Sequence, residues 1–329
     1  MSKLNQLKEI INDSKYIVIA QADNPDGDSL ASALALEDIL HRMGKEPYMY
    51  CAVDMPNHLR HLSGWDRVNK DMPKTFDAGI IVDTSSRKLF EIADKNGELQ
   101  WILAKPLIVI DHHDIKSTID ATVNYSNVNA VSTGEVIYDL AKQLDWPLTT
   151  NSGKMIATSI LSDSLGLMTE QTTPKSIRII ADLVELGVNL PEMEEARRAA
   201  MKKSEALVRY KGKLLQRIEY FEETSIATVT IPWEEIEKYS PEYNPSILVL
   251  DDMRLTQGTK VAIAFKTYPN NRITAKIRAN YGYPIAQALA EHFGGGGHKL
   301  ASGFKVNNSN FDLVKKECIE VASQLLKNM

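Results

Sequence analysis

Short apolar runs that alternate with polar or helix-favouring stretches constrain the fold of this chain more than any other feature. The runs cover residues 16–22, 47–53, 78–84 and 106–113, and each has the length of a buried strand. Strands that alternate with helical segments predict a parallel α/β sheet. Helix-like patterns with capping residues predict helices over 29–43, 132–145, 154–167 and 174–187.

The length of the chain predicts two domains, because 329 residues exceed the size of one typical core. Residues 1–190 contain the alternating pattern and are expected to form a parallel-sheet catalytic domain. Residues 191–206 are charged and helix-favouring, which is typical of a helical connector. Residues 207–329 contain further apolar runs, among them 246–253, and predict a smaller mixed-sheet α/β domain.

Composition indicates a water-soluble protein and excludes several classes. Hydrophobic residues make up 43% of the chain and charged residues 25%, and no apolar run reaches the length of a membrane span. Cys51 and Cys318 lack metal-type spacing, which favours free thiols in a reducing cytoplasm. We therefore expect a cytoplasmic protein without a membrane partner.

Net charge is unevenly distributed along the chain. The total of −5 argues against a protein that coats long duplex nucleic acid. Residues 207–329 carry a net charge of +3, and the remainder carries −8. An acidic first part suits metal cations and a basic second part suits a phosphate-bearing ligand. Ordinary scatter of surface charge would produce a similar imbalance.

Acidic residues and histidines follow three of the predicted strands. Asp26 and Asp28 flank a glycine after the first strand, Asp83 ends another, and residues 111–114 read Asp-His-His-Asp. Ligands of open α/β sheets collect at the carboxyl ends of strands. Two carboxylates on one tight turn need a cation or a shared proton. The first pair alone would suit a plain capped turn, but the three clusters together suit Mn²⁺, Mg²⁺ or Zn²⁺.

A glycine-rich segment lies between a predicted helix and a predicted strand near the end of the chain. Residues 293–303 read FGGGGHKLASG. Backbone amides of glycines approach a phosphate closely, and His298 adds a donor. A flexible linker would look similar, but the position between two elements favours a binding loop.

Taken in order, NPDGDS, VDTSS, IDHHD, SILSDS and GGGGHKLASG resemble the motifs of the DHH phosphoesterase family. Asp111, His112 and His113 form the triplet that gives this family its name. The glycine-rich segment resembles the C-terminal domain associated with the family. The resemblance spans residues 16–305, and it is strongest to the nanoRNase/pAp-phosphatase (short-oligonucleotide) branch.

This resemblance implies a DHH domain that binds two Mn²⁺ ions, with Mg²⁺ as the alternative, and an active site in the cleft between the domains. Asp83 matches the carboxylate that bridges both ions. His113 matches a catalytic histidine near the scissile phosphate. Asp111 is expected to orient His112. The residues that match metal ligands are Asp26, Asp28, Asp83, His112 and Asp163.

The family pattern also implies phosphate contacts in the second domain. Arg278 and His298 match such contacts, and the planar fork of arginine suits the role. The adjoining glycines are expected to bind substrate through their backbone. These glycines are Gly295, Gly296 and Gly297.

Ala22 departs from the family pattern, which has a metal-ligating histidine at that position. One ion therefore lacks a ligand, unless water completes its coordination or the turn swings Asp23 inward. Gln21 also flanks the position, but strand alternation points Gln21 and Asp23 to the other side. The departure places full catalytic competence, rather than family membership, in question.

The implied function is metal-dependent hydrolysis of a phosphoester by two-metal attack of hydroxide. Short oligonucleotides, linear dinucleotides and 3′-phosphoadenosine 5′-phosphate (pAp) are the expected substrates, and mononucleotides are the products. A pyrophosphatase or polyphosphatase of the same superfamily and a catalytically weakened nucleotide-binding protein are the alternatives. Base preference, direction of attack, the biological metal and the oligomeric state, including a homodimer, stay open.

Overall fold

The computed structural model describes residues 2–329. The chain divides into a first unit that ends at Lys202 and a second unit that begins at Lys203. This division falls within the segment 191–206, which the sequence identifies as a connector. The predicted domain limits themselves stay a prediction.

The first unit contains the predicted parallel sheet. Five strands pair in the order β2-β1-β3-β4-β5, and every pair is parallel. The four predicted apolar runs each form a strand. Each strand is shorter than its run, so that Asp83 and His112 directly follow β3 and β4. The fifth strand has a half-polar sequence, which carries no apolar signal. The strands are β1 (Tyr16–Ala20), β2 (Glu46–Tyr50), β3 (Ala78–Val82), β4 (Leu107–Asp111) and β5 (Val123–Ser126).

Helices pack on both faces of this sheet. Side chains of α2, α5 and α6 join one face of β1, β3 and β4 in a single apolar core. The opposite face of the sheet has a smaller core together with α3 and α4. The helices are α1 (Lys3–Asp13), α2 (Gly27–Arg42), α3 (Glu91–Lys95), α4 (Glu98–Leu103), α5 (Thr133–Leu144), α6 (Thr150–Asp163), α7 (Pro174–Glu185) and α8 (Leu190–Ala200).

Helix α6 differs from the predicted range 154–167. It begins earlier because Thr149 forms a capping box with Ser152. It ends at Asp163 because Leu165 and Leu167 have positive φ angles that a helix cannot continue. Asp163 therefore lies at the end of the helix.

The second unit contains the predicted mixed sheet. Six strands pair in the order β10-β11-β9-β8-β7-β6, and only β7 and β8 are parallel. The strands are β6 (Glu219–Phe221), β7 (Ile226–Ile231), β8 (Val261–Tyr268), β9 (Arg272–Ala279), β10 (Gly296–His298) and β11 (Ala301–Val306). The helices are α9 (Glu205–Gln216), α10 (Trp233–Tyr239), α11 (Ile247–Leu255), α12 (Ala286–His292) and α13 (Phe311–Lys327).

The predicted strand over 246–253 is wrong, because this segment forms helix α11. Leu248, Val249 and Met253 are buried there, and they pack against β7, β8 and α9. A short apolar run without flanking glycine or alternation fits a buried helix as well as a strand. Among residues 2–329, no helix is long and apolar enough to cross a membrane.

Candidate active site

Four of the five predicted metal ligands meet at the carboxyl edge of the first sheet. The centre of the cluster is Nε2 of His112. It lies 3.3 Å from Asp163 Oδ2, 3.6 Å from Asp28 Oδ2 and 3.6 Å from Asp83 Oδ1. Asp28 comes from the first turn of α2 and Asp163 from the end of α6, while the other two residues directly follow β3 and β4.

The ring of His112 is buried and is oriented by one backbone contact. Its Nδ1 lies 3.3 Å from the carbonyl oxygen of Ala130, which favours the tautomer that carries its proton on Nδ1. Nε2 has no hydrogen-bond partner in the described chain. A buried nitrogen with a free lone pair beside three carboxylate oxygens is a donor set that suits a divalent cation.

Hydroxyl and amide donors hold Asp28 in place. Asp28 Oδ1 accepts hydrogen bonds from Ser159 Oγ at 2.6 Å and from Ser32 Oγ at 2.9 Å. Its Oδ2 accepts one from the backbone N–H of Thr133 at 2.8 Å. The hydroxyl of Thr133 also donates to Asp83 Oδ1 at 3.0 Å. Thr133 thus positions two carboxylates of the cluster.

The sequence alone does not identify the hydroxyl and amide donors that hold Asp28. The segment around Thr133 indicated only a helix cap, and Ser159 stood within a helix without an assigned role. One signal was present, since Ser32 lies four residues after Asp28 and therefore on the same face of α2.

The electrostatics of the cluster disfavour full ionisation without a cation. Burial raises the pKa of Asp83 well above its ordinary value, and the charges of Asp28 and Asp26 raise it further. Burial likewise raises the pKa of Asp163, although its contact with His112 opposes this shift. Burial alone would lower the pKa of His112, but the contacts with Asp163 and Asp28 outweigh it and raise that pKa.

Asp83 occupies an unusual backbone conformation. Its φ angle is +63°, and its N–H bonds to the carbonyl oxygen of Ile110 on the neighbouring strand. A residue with a left-handed backbone immediately after a buried strand is strained, and such strain is frequent at functional sites. The turn places the Asp83 carboxylate between His112 and Thr133.

Asp26, the fifth predicted ligand, is exposed and lies at the edge of the cluster. Its Oδ1 accepts the N–H of Ser29 at 3.0 Å and so caps helix α2. Its charge still acts on the pKa values of Asp83 and Asp163. The described side chains form two groups with ligand-atom spacing, one of Asp83, His112 and His113 and one of Asp28, His112 and Asp163. Neither group contains Asp26, so its role as a ligand stays a prediction.

Ala22 stands where the family pattern has a histidine. Ala22 is buried, and its carbonyl oxygen contacts the Sγ of Cys51 at 3.2 Å. Asp23 turns away from the cluster, since its Oδ2 accepts the N–H of Ile92 at 2.7 Å. The structure therefore agrees with strand alternation, which points Asp23 to the other side, and not with the alternative in which the turn swings Asp23 inward. Gln21 is fully buried, and neither polar atom of its amide has a partner in the described part of the chain.

Asp111 orients the second histidine of the triplet rather than the first. Asp111 Oδ1 lies 2.8 Å from Nδ1 of the His113 ring, whereas it accepts only the backbone N–H of His112. Ser85 donates its hydroxyl to Oδ2 at 2.5 Å. The expectation that Asp111 orients the ring of His112 is wrong. The bond to Asp111 also raises the pKa of His113, whose half-exposed ring stays open to a ligand.

The predicted substrate residues of the second unit share one face of its sheet. His298 on β10 pairs with Ala301 on β11, which in turn pairs with Arg278 on β9. Directly paired residues project to the same face, so His298 and Arg278 lie about 10 Å apart across two strand spacings. Their role as phosphate contacts stays a prediction.

The glycines lie in a strand rather than in an open loop. Gly296 and Gly297 belong to β10 and pair with β11, and Gly295 directly precedes them. Gly297 has a φ angle of +139°, and a Cβ there would lie 2.7 Å from the carbonyl oxygen of Ala301. Only glycine fits that close approach. Contact between these glycines and a substrate also stays a prediction.

Comparisons with known proteins agree with this geometry. A model of the DHH family, N-terminal domain, matches residues 16–187, which is more than half of the chain. A Thermus thermophilus protein named bifunctional oligoribonuclease and PAP phosphatase NrnA is 24% identical over 315 residues, which cover 94% of this chain and 90% of that protein. A Bacillus subtilis protein of the same name is 22% identical over 88% of this chain and 89% of its own length.

Solved structures with similar folds cover nearly the whole chain. An exopolyphosphatase-related protein from Bacteroides fragilis superimposes with a TM-score of 0.84 and 19% identity, covering 99% of this chain and 97% of that one. RecJ from Thermus thermophilus, in complex with Mn²⁺, gives a TM-score of 0.51 and 17% identity over 98% of this chain and 54% of RecJ. At these identities the likeness establishes the fold.

Proposed function

The chain belongs to the DHH family of phosphoesterases, and from this premise we propose that it hydrolyses phosphoesters of short nucleotide substrates. These substrates are oligonucleotides a few residues long, linear dinucleotides and pAp, and the products are mononucleotides. Similarity over most of the chain to relatives named oligoribonuclease and PAP phosphatase supports this choice. The observation that carries the proposal is the free Nε2 of His112 among three carboxylates.

Asp28, Asp83, His112 and Asp163 would hold a divalent cation, and Mn²⁺ suits their mixed oxygen and nitrogen donors. The proposal includes a second ion, which Asp83 would share and Asp26 would help to hold. A bound divalent cation supplies hydroxide at neutral pH and a counter-charge for the phosphoryl oxygens.

The remaining residues bind and orient the substrate. Asp111 fixes the ring of His113 through Nδ1 and raises its pKa. The protonated ring would then donate a hydrogen bond from Nε2 to a phosphoryl oxygen. Arg278 and His298 bind a phosphate of the substrate by charge-assisted hydrogen bonds. Thr133 keeps the carboxylates of Asp28 and Asp83 fixed by neutral donors, which preserves their negative charge for the cation.

A catalytically weakened nucleotide-binding protein is the second candidate. Ala22 supplies no ligand atom, and Asp23 is held by Ile92. One ion would then have fewer protein ligands than the family pattern provides. Binding of nucleotides without turnover would follow from weak occupancy of that position.

A substrate panel at increasing Mn²⁺ concentration tests the proposal. We expect the purified chain to hydrolyse diadenylate, a short oligoribonucleotide and pAp faster than pyrophosphate. The matched control is Asp83→Asn, which should hydrolyse none of them. Turnover of pyrophosphate or polyphosphate alone would contradict the proposal. Tight nucleotide binding without turnover would favour the second candidate.

A further inference from the structure

Among the described residues of the second unit, the helical cores leave one half of its sheet without a covering helix on one face. Along β9, residues at odd numbers from Ile273 to Ala279 are buried, while Thr274, Lys276 and Arg278 are partly exposed. The buried set packs with α12 and α13. On the opposite face, the core formed by α9, α10 and α11 reaches only β7 and β8. The side chains of Lys276 and Arg278 therefore project from the uncovered part.

A groove of about 740 Å³ lies on this face. The strand register explains its shape, because Lys276 pairs with Ala264 on one side and Gly303 on the other. Small residues on both sides leave open space above Lys276. In the next row, Thr274 pairs with Lys266 and Lys305. The groove is lined by Lys266, Lys276, Lys305, Asn244, Tyr268 and Gly303, together with their neighbours.

The cations of this groove have no anionic partner within the described residues. Lys266 is nine-tenths buried, and its Nζ donates to the Asn244 side chain at 2.8 Å. Burial and the nearby charge of Lys276 lower the pKa of Lys266 to about 8. Burial and the charge of Arg278 lower the pKa of Lys276.

Elsewhere in the same unit, several basic side chains pair with acids. Arg217 binds Glu235 at 2.7 Å and Lys315 binds Glu219 at 2.5 Å. A row of like charges without counter-ions is unfavourable in the isolated protein. Anions from outside the chain relieve this repulsion, so the groove has the charge and the depth of an anion site.

We propose that this groove binds a second phosphate of a single-stranded oligonucleotide whose first phosphate contacts Arg278 and His298. The inference rests on the proposed function, and it identifies the lysines as specificity-determining residues for substrate length. Rows along β9 are two residues, or about 7 Å, apart. Lys276 lies one row from Arg278, and Lys266 and Lys305 lie two rows from it, which matches a chain of phosphates that runs along the strand.

The other lining residues favour a nucleotide over an inorganic polyphosphate. Tyr268 lines the groove with the Arg272 guanidinium 3.9 Å from its ring centroid. At the same end, Asn307 offers an amide group and Asn244 offers its NH₂, since the Asn244 oxygen accepts from Lys266. Aromatic rings stack on bases, and amides bind the edges of unpaired bases. Inorganic polyphosphate would use the lysines alone.

The test compares two substrates of different length. Lys276→Ala and Lys305→Ala each remove a partly or fully exposed charge, so both variants should fold. We expect the ratio of KM for a 5′-phosphorylated pentaribonucleotide to KM for pAp to rise about tenfold in each, because one charge-assisted phosphate contact is lost. Lys316→Ala on α13 makes the same charge change on the opposite side of the sheet, and its ratio should equal that of the wild type.

A binding measurement separates this inference from the proposed function. Fluorescence anisotropy of a labelled pentaribonucleotide, with metal chelated to prevent turnover, should give an affinity about tenfold weaker in both lysine variants. A wild type that hydrolyses neither substrate refutes the proposed function, while the anisotropy still tests the groove. An unchanged KM ratio together with unchanged anisotropy would overturn the groove. Displacement of the labelled oligonucleotide by tripolyphosphate at equal concentration would overturn its preference for nucleotides.

Discussion

Replacing Asp83 by asparagine should stabilise the metal-free protein and abolish its response to Mn²⁺. Asparagine has nearly the same shape as aspartate, and it tolerates the positive φ angle that Asp83 adopts. It still accepts the hydroxyl of Thr133, which now donates to Oδ1 at 3.0 Å. The substitution therefore removes a charge from the cluster while it preserves the backbone and this hydrogen bond.

The size of the effect follows from the distances to His112. Oxygens of Asp83 and Asp28 each lie 3.6 Å from the same nitrogen, so they lie within about 7 Å of each other. Two unit charges at that separation repel by about 2 kcal/mol at an effective dielectric constant near 20. Proton uptake relieves part of this repulsion. We expect about 1–2 kcal/mol of added stability without metal, or a Tm increase of about 3–6 °C.

The pH dependence of this gain has a defined sign. The folded-state pKa of Asp83 is raised above its ordinary value, so the folded protein retains a proton that the unfolded chain has released. The stability of the metal-free wild type should therefore fall as pH rises from the ordinary carboxyl pKa through the raised one. Asp83→Asn removes this contribution, and its advantage should grow with pH over the same range.

Asp28→Asn provides the contrast, because it removes a charge of the same cluster with the opposite effect on stability. Asp28 accepts three hydrogen bonds, from Ser32, Thr133 and Ser159. An amide NH₂ group that faces these donors should lower the free energy of unfolding of the metal-free protein by about 1–3 kcal/mol. Both variants should lose the stabilisation by Mn²⁺, which in the wild type reaches about 2.7 kcal/mol at a concentration of 100 Kd.

Thermal unfolding in EDTA and in Mn²⁺, followed by circular dichroism at pH 6 and pH 8, measures all of these quantities. Asp120→Asn is the matched control, since its side chain is exposed and lies outside both ligand groups. An Asp83→Asn protein that is less stable in EDTA, or that keeps its full Mn²⁺ stabilisation, would refute the electrostatic reasoning.

Three further predictions concern the phosphate contacts, the position of Ala22 and the buried lysine of the groove. Arg278→Ala and His298→Ala should each raise KM for pAp about tenfold or more. Calorimetry should give the wild-type Mn²⁺ affinity for both variants, and a loss of metal binding would show that their roles are misassigned. Ala22→His should lower the Mn²⁺ concentration that gives half-maximal activity, and an unchanged titration would indicate that the natural protein already has a complete site. Oligonucleotide affinity should fall as pH rises through about 8, where Lys266 loses its proton, and Lys266→Met should abolish this inflection in the anisotropy titration.

The sequence was most informative where strands end in charged residues. Apolar runs before Asp83 and His112 identified the sheet, and the rule for open α/β sheets placed their side chains at one edge, as the structure has them. These features depend on local periodicity, which a single sequence records.

Features that depend on tertiary contacts were not predictable in this way. The role of Thr133 requires α5 to begin beside the turn that carries Asp28, which lies 105 residues earlier in the chain. The preference of Asp111 for the His113 ring depends on side-chain rotamers after β4. Strand alternation predicts that Asp23 points away from the cluster, but its partner, the N–H of Ile92, lies 69 residues later in the chain and was not predictable.

The two units differ in the sign of the charged side chains that they leave without an opposite partner. This difference supports a metal-binding role for the first unit and a phosphate-binding role for the second. Two buried carboxylates of the first unit pair with cations, Glu37 with Arg67 at 2.5 Å and Glu135 with Lys175 at 3.5 Å. A third, Glu98, accepts hydrogen bonds from the Tyr50 hydroxyl and the Met72 N–H instead. The carboxylates around His112 have only histidines and neutral donors, although basic residues are abundant in the chain. The second unit pairs Arg217 and Lys315 with acids but leaves the lysines of the groove without acids. Several carboxylates without a cation therefore meet around His112, and several lysines without an acid line the groove, as expected if a divalent cation completes the first group and a phosphate chain the second.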